Sequence, residues 1–152
     1  MKHLLVVLML AACGGPPRAG DTLADTIRNY NDGVRWGRFE VAAKSIPVKQ
    51  RSEFVDDNDE RAKDLKITQY DIVNVDQKGS REAKVHIKME WYSDREGLLH
   101  ETHAVQTWEK QGKDWMLVDE SRLKGTEMLG LQEPMAKDDA DADPKAESKP
   151  AR

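Results

Sequence analysis

Residues 83–91 read Ala-Lys-Val-His-Ile-Lys-Met-Glu-Trp, and the order of apolar and polar residues in this stretch indicates the fold class of the chain. Apolar residues occupy every second position, and the positions between them hold lysine, histidine or glutamate. Because successive side chains of a strand point to opposite faces, this period of two predicts a strand with one buried face and one solvated face. Clean alternation of this kind is typical of antiparallel sheets.

Strand patterns also flank this stretch. Residues 67–75 precede it, and residues 98–110 and 115–120 follow it. Each of the three connecting segments is polar and contains a glycine, which is typical of turns. The pattern therefore predicts an antiparallel meander of four strands.

The N-terminal side of the sheet has a helical period instead. Apolar residues recur there at spacings of four, three and four positions: Leu23, Ile27, Tyr30 and Val34. This spacing places them on one stripe of a helix. Asp21 or Thr22 can cap the start of this helix, and Gly37 can end it. A second helix is predicted over 39–46, before Pro47, and a weaker third helix over 48–65, interrupted by the acidic stretch 56–60. Helices followed by antiparallel strands indicate an α+β fold in which the helices cover one face of the sheet.

The order of these elements resembles the nuclear transport factor 2-like superfamily. The resemblance rests on the helix over 22–36, the second helix, the meander, and the closing hairpin over 106–118, in which a turn separates Trp108 from Trp115. It implies a curved antiparallel sheet wrapped around the helices into a cone, also described as cystatin-like, whose open end can hold a small molecule. Members of this superfamily include isomerases, dehydratases, transport adaptors and domains without known activity, so the fold does not select a function.

The N-terminus carries a second resemblance. Lys2 is followed by an apolar run over 4–10, and the tetrad Leu10-Ala11-Ala12-Cys13 resembles the lipobox of bacterial lipoproteins. The run is too short to cross a membrane as a helix, which needs ~20 apolar residues. The resemblance implies that residues 1–12 are a signal peptide and that Cys13, the only cysteine, carries a diacylglyceryl group and an N-acyl chain. The alternative is an ordinary secretory peptide with an incidental cysteine.

Composition divides the rest of the chain. Residues 13–20 are rich in glycine and proline and are predicted to be a tether, residues 21–131 form the α+β domain, and residues 132–152 are predicted to be a disordered tail. Removing residues 1–12 takes away one basic residue and leaves 23 basic against 28 acidic residues, a net charge of −5. This balance argues against nucleic-acid binding.

Gly14 in place of aspartate after the cysteine resembles outer-membrane lipoproteins, so the predicted location is the cell envelope, on the periplasmic face of the outer membrane rather than the inner membrane.

Aromatic residues are the candidates for lining a pocket. The predicted pocket residues are Tyr30, Trp36, Tyr70, Trp91, His103 and Trp108. The alternative interpretation is that these aromatics, together with Phe39 and Trp115, fill the core. No metal or cofactor is predicted, because His100 and His103 are three residues apart on a strand and point to opposite faces.

No catalytic motif is recognisable, so the chain is interpreted as a non-catalytic module that binds an envelope protein or a small apolar ligand; its oligomeric state is left open. The alternative is an isomerase or dehydratase with Asp71, His103 or Asp119 as base and Tyr30 or Tyr70 as hydrogen-bond donor. A closed pocket with a buried acid beside a tyrosine would favour the enzyme. A pocket filled by tryptophan and methionine would favour the binding module.

Overall fold

The structure is a computed structural model that describes residues 22–133. The predicted signal peptide, the tether and residues 134–152 of the predicted tail lie outside this range. The main elements follow the order α1 (Leu23–Arg35), α2 (Phe39–Ala42), α3 (Arg51–Arg61), β1 (Leu65–Lys78), β2 (Glu82–Ser93), β3 (Leu99–Gln111) and β4 (Asp114–Gly125). The four strands form one antiparallel sheet in sequential order, as a meander. The helices pack against this curved sheet, so the prediction of an α+β, cone-like fold is confirmed.

Strand β2 lies inside the sheet and supplies much of its core. Ile87 faces Ile72 of β1 and Ala104 of β3. The alternate residues of the stretch 83–91 are all buried: Ala83, Val85, Ile87, Met89 and Trp91. The period-two pattern therefore identified the core face of this strand correctly.

Helix α1 covers this face of the sheet. Its cap is Thr22, one of the two predicted residues, whose hydroxyl accepts a hydrogen bond of 3.2 Å from the backbone N–H of Asp25. Ile27 and Tyr30 from the predicted apolar stripe are buried in the core. A Cβ atom at Gly33 would lie 3.0 Å from the Cβ of Ala42, so glycine at this position allows α1 and α2 to approach closely.

The second and third helices differ from their predictions. The second is α-helical only over Phe39–Ala42, continues as a 3-10 turn over Ala43–Ser45, and gives way to extended backbone at Ile46, before Pro47. The third, α3, is not interrupted at 56–60, because its acidic side chains are solvent-exposed there. It also ends at Arg61, and Leu65 begins β1 instead of closing the helix.

The closing hairpin and the segment after it form the C-terminal part of the domain. In this hairpin Trp108 faces Leu117 and Trp115 faces Lys110, so the two indoles are not directly opposed. The segment after β4 returns along that strand, where the backbone N–H of Arg122 donates to the carbonyl of Gln132 at 2.7 Å. Gln132 and Glu133, which composition assigns to the tail, therefore contact the domain.

Within residues 22–133, every helix is too short or too polar to cross a membrane.

Candidate functional site

A cavity of about 350 Å³ lies between α1, α3 and the sheet. We call it the polar cavity because charged and amide side chains make up much of its wall. The charged residues that line it are Glu53, Asp57, Arg61, Asp119 and Glu120. The amide residues that line it are Asn31, Gln50, Asn58 and Gln132. Four carboxyl groups against one guanidinium give this cavity an acidic character.

Glu120 is held in this wall by two hydrogen bonds. The hydroxyl of Tyr30 donates to its Oε2 at 3.0 Å, and the amide Nε2 of Gln106 donates to its Oε1 at 2.8 Å. Tyr30 comes from α1, whereas Gln106 of β3 lies directly opposite Glu120 in the sheet. The helix and two strands therefore fix the position of this carboxyl group.

The same network continues into the core. Nε2 of Gln106 also donates to Oδ1 of Asn31 at 2.9 Å, and Nδ2 of Asn31 donates to the carbonyl of Ile27 at 2.8 Å. The indole N–H of Trp108 donates to Oε1 of Gln106 at 3.3 Å. Among residues 22–133, no buried side-chain nitrogen or oxygen lacks a partner. A fully satisfied buried network of this kind stabilises one arrangement of its members.

Burial changes the proton affinity of both ends of the Tyr30–Glu120 pair. Desolvation raises the pKa of the Glu120 carboxyl group, and the hydrogen bonds from Gln106 and Tyr30 oppose this rise. Burial also raises the pKa of the Tyr30 hydroxyl well above its usual value, and the nearby charge of Glu120 raises it further. Tyr30 is therefore a neutral donor, and Glu120 holds a proton more readily than an exposed glutamate.

Glu120 should make the folded state less stable as the pH rises from its ordinary pKa of 4.5 towards neutrality. In this window the folded state binds more protons than the unfolded state, so the free energy of unfolding falls with rising pH. Glu120→Gln removes this titration, and thermal unfolding across the window should show a smaller loss of stability than in the unsubstituted protein. Glu109→Gln, at an exposed position of β3, is the matched control for the loss of one carboxylate. An unchanged slope in Glu120→Gln would contradict the assignment.

A second tyrosine lies on another wall of the polar cavity. The hydroxyl of Tyr70 donates to Oδ1 of Asp32 at 3.0 Å. Burial, followed by this hydrogen bond, raises the pKa of Tyr70 to about 12. Both tyrosine hydroxyls at the cavity thus donate to carboxylates of the protein itself.

The predicted pocket residues are distributed over different environments. Tyr30 and Tyr70 line the polar cavity, and Trp36, which is 63% exposed, lines a neighbouring cavity. The other three, Trp91, His103 and Trp108, line neither cavity.

Packing explains the position of these three residues. Trp91 lies against His100 and donates from Nε1 to the hydroxyl of Thr102 at 2.9 Å. Trp108 is covered by α1 and is fully buried. His103 points to the sheet face opposite the helices and contacts Glu101 at 3.0 Å.

The candidate bases are also separated. Asp119 lines the polar cavity, whereas Asp71 is half exposed and lies 3.7 Å from Lys88, and His103 is on the opposite sheet face. Glu120 was not predicted. Trp108 faces Leu117 and Thr107 faces Asp119, so Val118 is an extra residue that forms a bulge and turns Glu120 towards the core. Gln106 was missed as well, although it belongs to the period-two series from Thr102 to Trp108.

Within residues 22–133, no group of three or more histidine, cysteine, aspartate or glutamate side chains is arranged to hold a metal ion. The hydrogen bonds of His100 and His103 go to different carboxylates, Glu96 and Glu101.

Comparison with solved structures places the fold among known ones. A ketosteroid isomerase-like protein from Erwinia carotovora atroseptica is similar with a TM-score of 0.57 and 11% identity, over 67% of this chain and 94% of that one. A SEC-C motif containing protein from Rhodopseudomonas palustris is similar with a TM-score of 0.57 and 13% identity, over 66% of this chain and 77% of that one. No protein-family model matches the sequence, and the comparison with curated proteins finds no match. At these identities the likeness shows the fold, and the isomerase-like neighbour supports the nuclear transport factor 2-like architecture.

Proposed function

We propose that this protein is a non-catalytic binding module that holds a small molecule in the polar cavity and is displayed at the cell envelope through acylated Cys13. The observation that supports binding is the cavity itself, about 350 Å³ in volume and partly open to solvent. This volume is at the lower end of the ~300–1,000 Å³ usual for small-molecule sites. The hydrogen-bonded carboxyl group of Glu120 gives it a polar group in a fixed position.

The lining favours a neutral or cationic ligand with hydrogen-bond donors. Carboxylates accept hydrogen bonds and attract positive charge, and four of them lie around one cavity. Phe54, Met89 and Leu117 add apolar surface for the rest of the molecule. Such a ligand is more polar than the one that the sequence alone suggested.

An isomerase-type enzyme is the second candidate, because the polar cavity does place a carboxyl group of raised pKa beside a tyrosine. Such an enzyme needs a base and a separate donor that stabilises the enolate oxygen. The hydroxyl of Tyr30 donates its hydrogen bond to Glu120 itself, and the hydroxyl of Tyr70 donates its hydrogen bond to Asp32. Since neither tyrosine offers a free donor, the geometry supports binding better than catalysis.

Titration of the full chain with 2-phenylethylamine, followed by nuclear magnetic resonance of the backbone amides, tests this proposal. We expect shifts at residues around Glu120, and phenylacetate, with the same ring and the opposite charge, should not produce them. Glu120→Gln should weaken amine binding about tenfold, because the ligand loses a charged acceptor. The exposed Glu109→Gln variant is the matched control and should bind like the unsubstituted protein.

Two outcomes would contradict the proposal. One is equal response of the polar cavity to the amine and to phenylacetate. The other is exchange of α-deuterium from deuterated cyclohexanone above the buffer rate, with loss of that exchange in Glu120→Gln. The second result would identify Glu120 as a base that removes protons from carbon, and the enzyme would replace the binding module.

A further inference from the structure

A second cavity, of about 370 Å³, lies where the C-terminal ends of α1 and α3 meet the beginning of β1. Its walls are largely apolar and aromatic and include Trp36, Phe39, Leu65, Ile67, Tyr92 and Met128. It adjoins the polar cavity, and Arg61 lines both. We call it the cationic cavity because Arg35, Arg61 and Lys66 line it.

Among residues 22–133, three basic residues and no acidic residue line the cationic cavity: Arg35, Arg61 and Lys66. In the part of the chain that the structure describes, none of the three forms an ion pair with a carboxylate. Arg61 donates to the carbonyl of Leu129 at 3.0 Å, Lys66 donates to the carbonyl of Ala62, and Arg35 lies 4.8 Å from the centre of the Trp36 ring. Their charge is therefore not neutralised by this wall.

We propose that the cationic cavity binds a monocarboxylate with a single apolar chain, of the kind represented by a medium-chain fatty acid. Three cations, none of which forms an ion pair within residues 22–133, attract an anionic headgroup, and arginine presents N–H groups in a geometry that matches a carboxylate. The apolar and aromatic walls bury the chain. The volume suits one short chain and not the two long chains of a membrane phospholipid.

This site is distinct from the one in the proposed function, although Arg61 lines both. In the described part of the chain, the polar cavity has an excess of carboxylates, and no carboxylate lines the cationic cavity. The two sites therefore select ligands of opposite charge. A double variant, Arg35→Gln with Lys66→Gln, changes residues that line only the cationic cavity, so it should leave the binding of 2-phenylethylamine unchanged.

Calorimetric titration of the full chain with decanoate, below the concentration at which it forms micelles, tests the proposal. We expect one decanoate per chain, with decan-1-ol and decylammonium binding at least about tenfold more weakly because they lack the negative charge. The Arg35→Gln/Lys66→Gln variant should lose about tenfold in affinity for decanoate. The Lys78→Gln/Lys84→Gln variant removes the same charge from exposed positions of β1 and β2 and should retain the affinity.

The exposed indole of Trp36 reports the position of the ligand. 10-Bromodecanoate should quench tryptophan fluorescence, and Trp36→Phe should abolish most of this quenching, since Trp91, Trp108 and Trp115 are buried. Equal affinity for decanoate and decan-1-ol would overturn the proposal. Unchanged affinity in the Arg35→Gln/Lys66→Gln variant, or quenching that persists without Trp36, would overturn it as well.

Discussion

Replacement of Trp108 by alanine is expected to lower the free energy of unfolding by about 3–5 kcal/mol, the usual cost of removing a large aromatic side chain from a core. Trp108 is 0% exposed, and its ring meets that of Tyr30 edge-on with centroids 5.6 Å apart. Alanine would leave an unfilled cavity beneath α1. It would also remove the indole N–H that donates to Gln106, at the inner end of the polar network.

Urea unfolding followed by circular dichroism measures this loss, and Trp36→Ala is the matched control. The same residue type stands at both positions, but Trp36 is 63% exposed. Its replacement should change the free energy of unfolding by no more than about 0.5 kcal/mol, as is usual for surface substitutions. Similar losses in the two variants would show that the assigned packing of β3 against α1 is incorrect.

The stability of the core and the geometry of the polar cavity depend on the same side chains. Gln106 accepts a hydrogen bond from the indole N–H of Trp108 and donates one to Glu120. Tyr30 packs on Trp108 and also donates a hydrogen bond to Glu120. A change that loosens Trp108 should therefore also loosen the carboxyl group at the cavity wall. This coupling explains how the carboxyl group of Glu120 is held in one position at the wall of the polar cavity.

The elements that the sequence predicted well are those with strong local patterns. The alternation of β2 and the apolar stripe of α1 each require a buried face, and that requirement is visible in a single segment. The buried positions of Ile27, Val85 and Ile87 were predicted correctly for this reason. The meander followed because each pair of strands is joined by a short polar turn.

The candidate site could not be predicted in the same way, because it depends on irregularities and on packing between distant segments. A bulge at Val118 shifts the alternation of β4, so that Glu120 rather than Asp119 pairs with Gln106. The aromatic residue type also does not reveal its environment. Trp36 and Trp108 are chemically identical, yet one lines the cationic cavity and the other fills the core.

The two neighbouring cavities are lined by side chains of opposite charge. The acidic face of α3 contributes Glu53 and Asp57 to the polar cavity, whereas the last turn of α1 contributes Arg35 to the cationic cavity. Arg61, at the end of α3, lies between them. A ligand with a positive group and a separate anionic amphiphile could therefore occupy adjacent sites, and binding at one would change the potential at the other through Arg61.

Substitution of Cys13 by serine is expected to abolish lipid attachment and, in chains from which the apolar run over 4–10 has been removed, to move the protein from the detergent phase to the aqueous phase. A serine hydroxyl cannot form the thioether that the lipobox-like tetrad implies, and Cys13 is the only cysteine in the sequence. Each buried methylene of an acyl chain contributes about 0.8 kcal/mol to membrane binding, so loss of several chains removes the whole anchor. Incorporation of radiolabelled palmitate in a bacterial host, with detergent phase partitioning of the same samples, measures both effects.

Gly15→Ala is the matched control for this substitution, because it alters a small residue of the predicted tether and leaves the thiol in place. It should incorporate palmitate and partition like the unsubstituted protein. An unprocessed chain that keeps the apolar run over 4–10 could stay in the detergent phase without any acyl group. Incorporation of radiolabelled palmitate distinguishes this case from lipid attachment. Label in Cys13→Ser, or an unlabelled unsubstituted protein that still begins at Met1, would contradict acylation at Cys13. Either result would leave both ligand cavities without the membrane setting that we propose, while the binding experiments on the domain itself would keep their meaning.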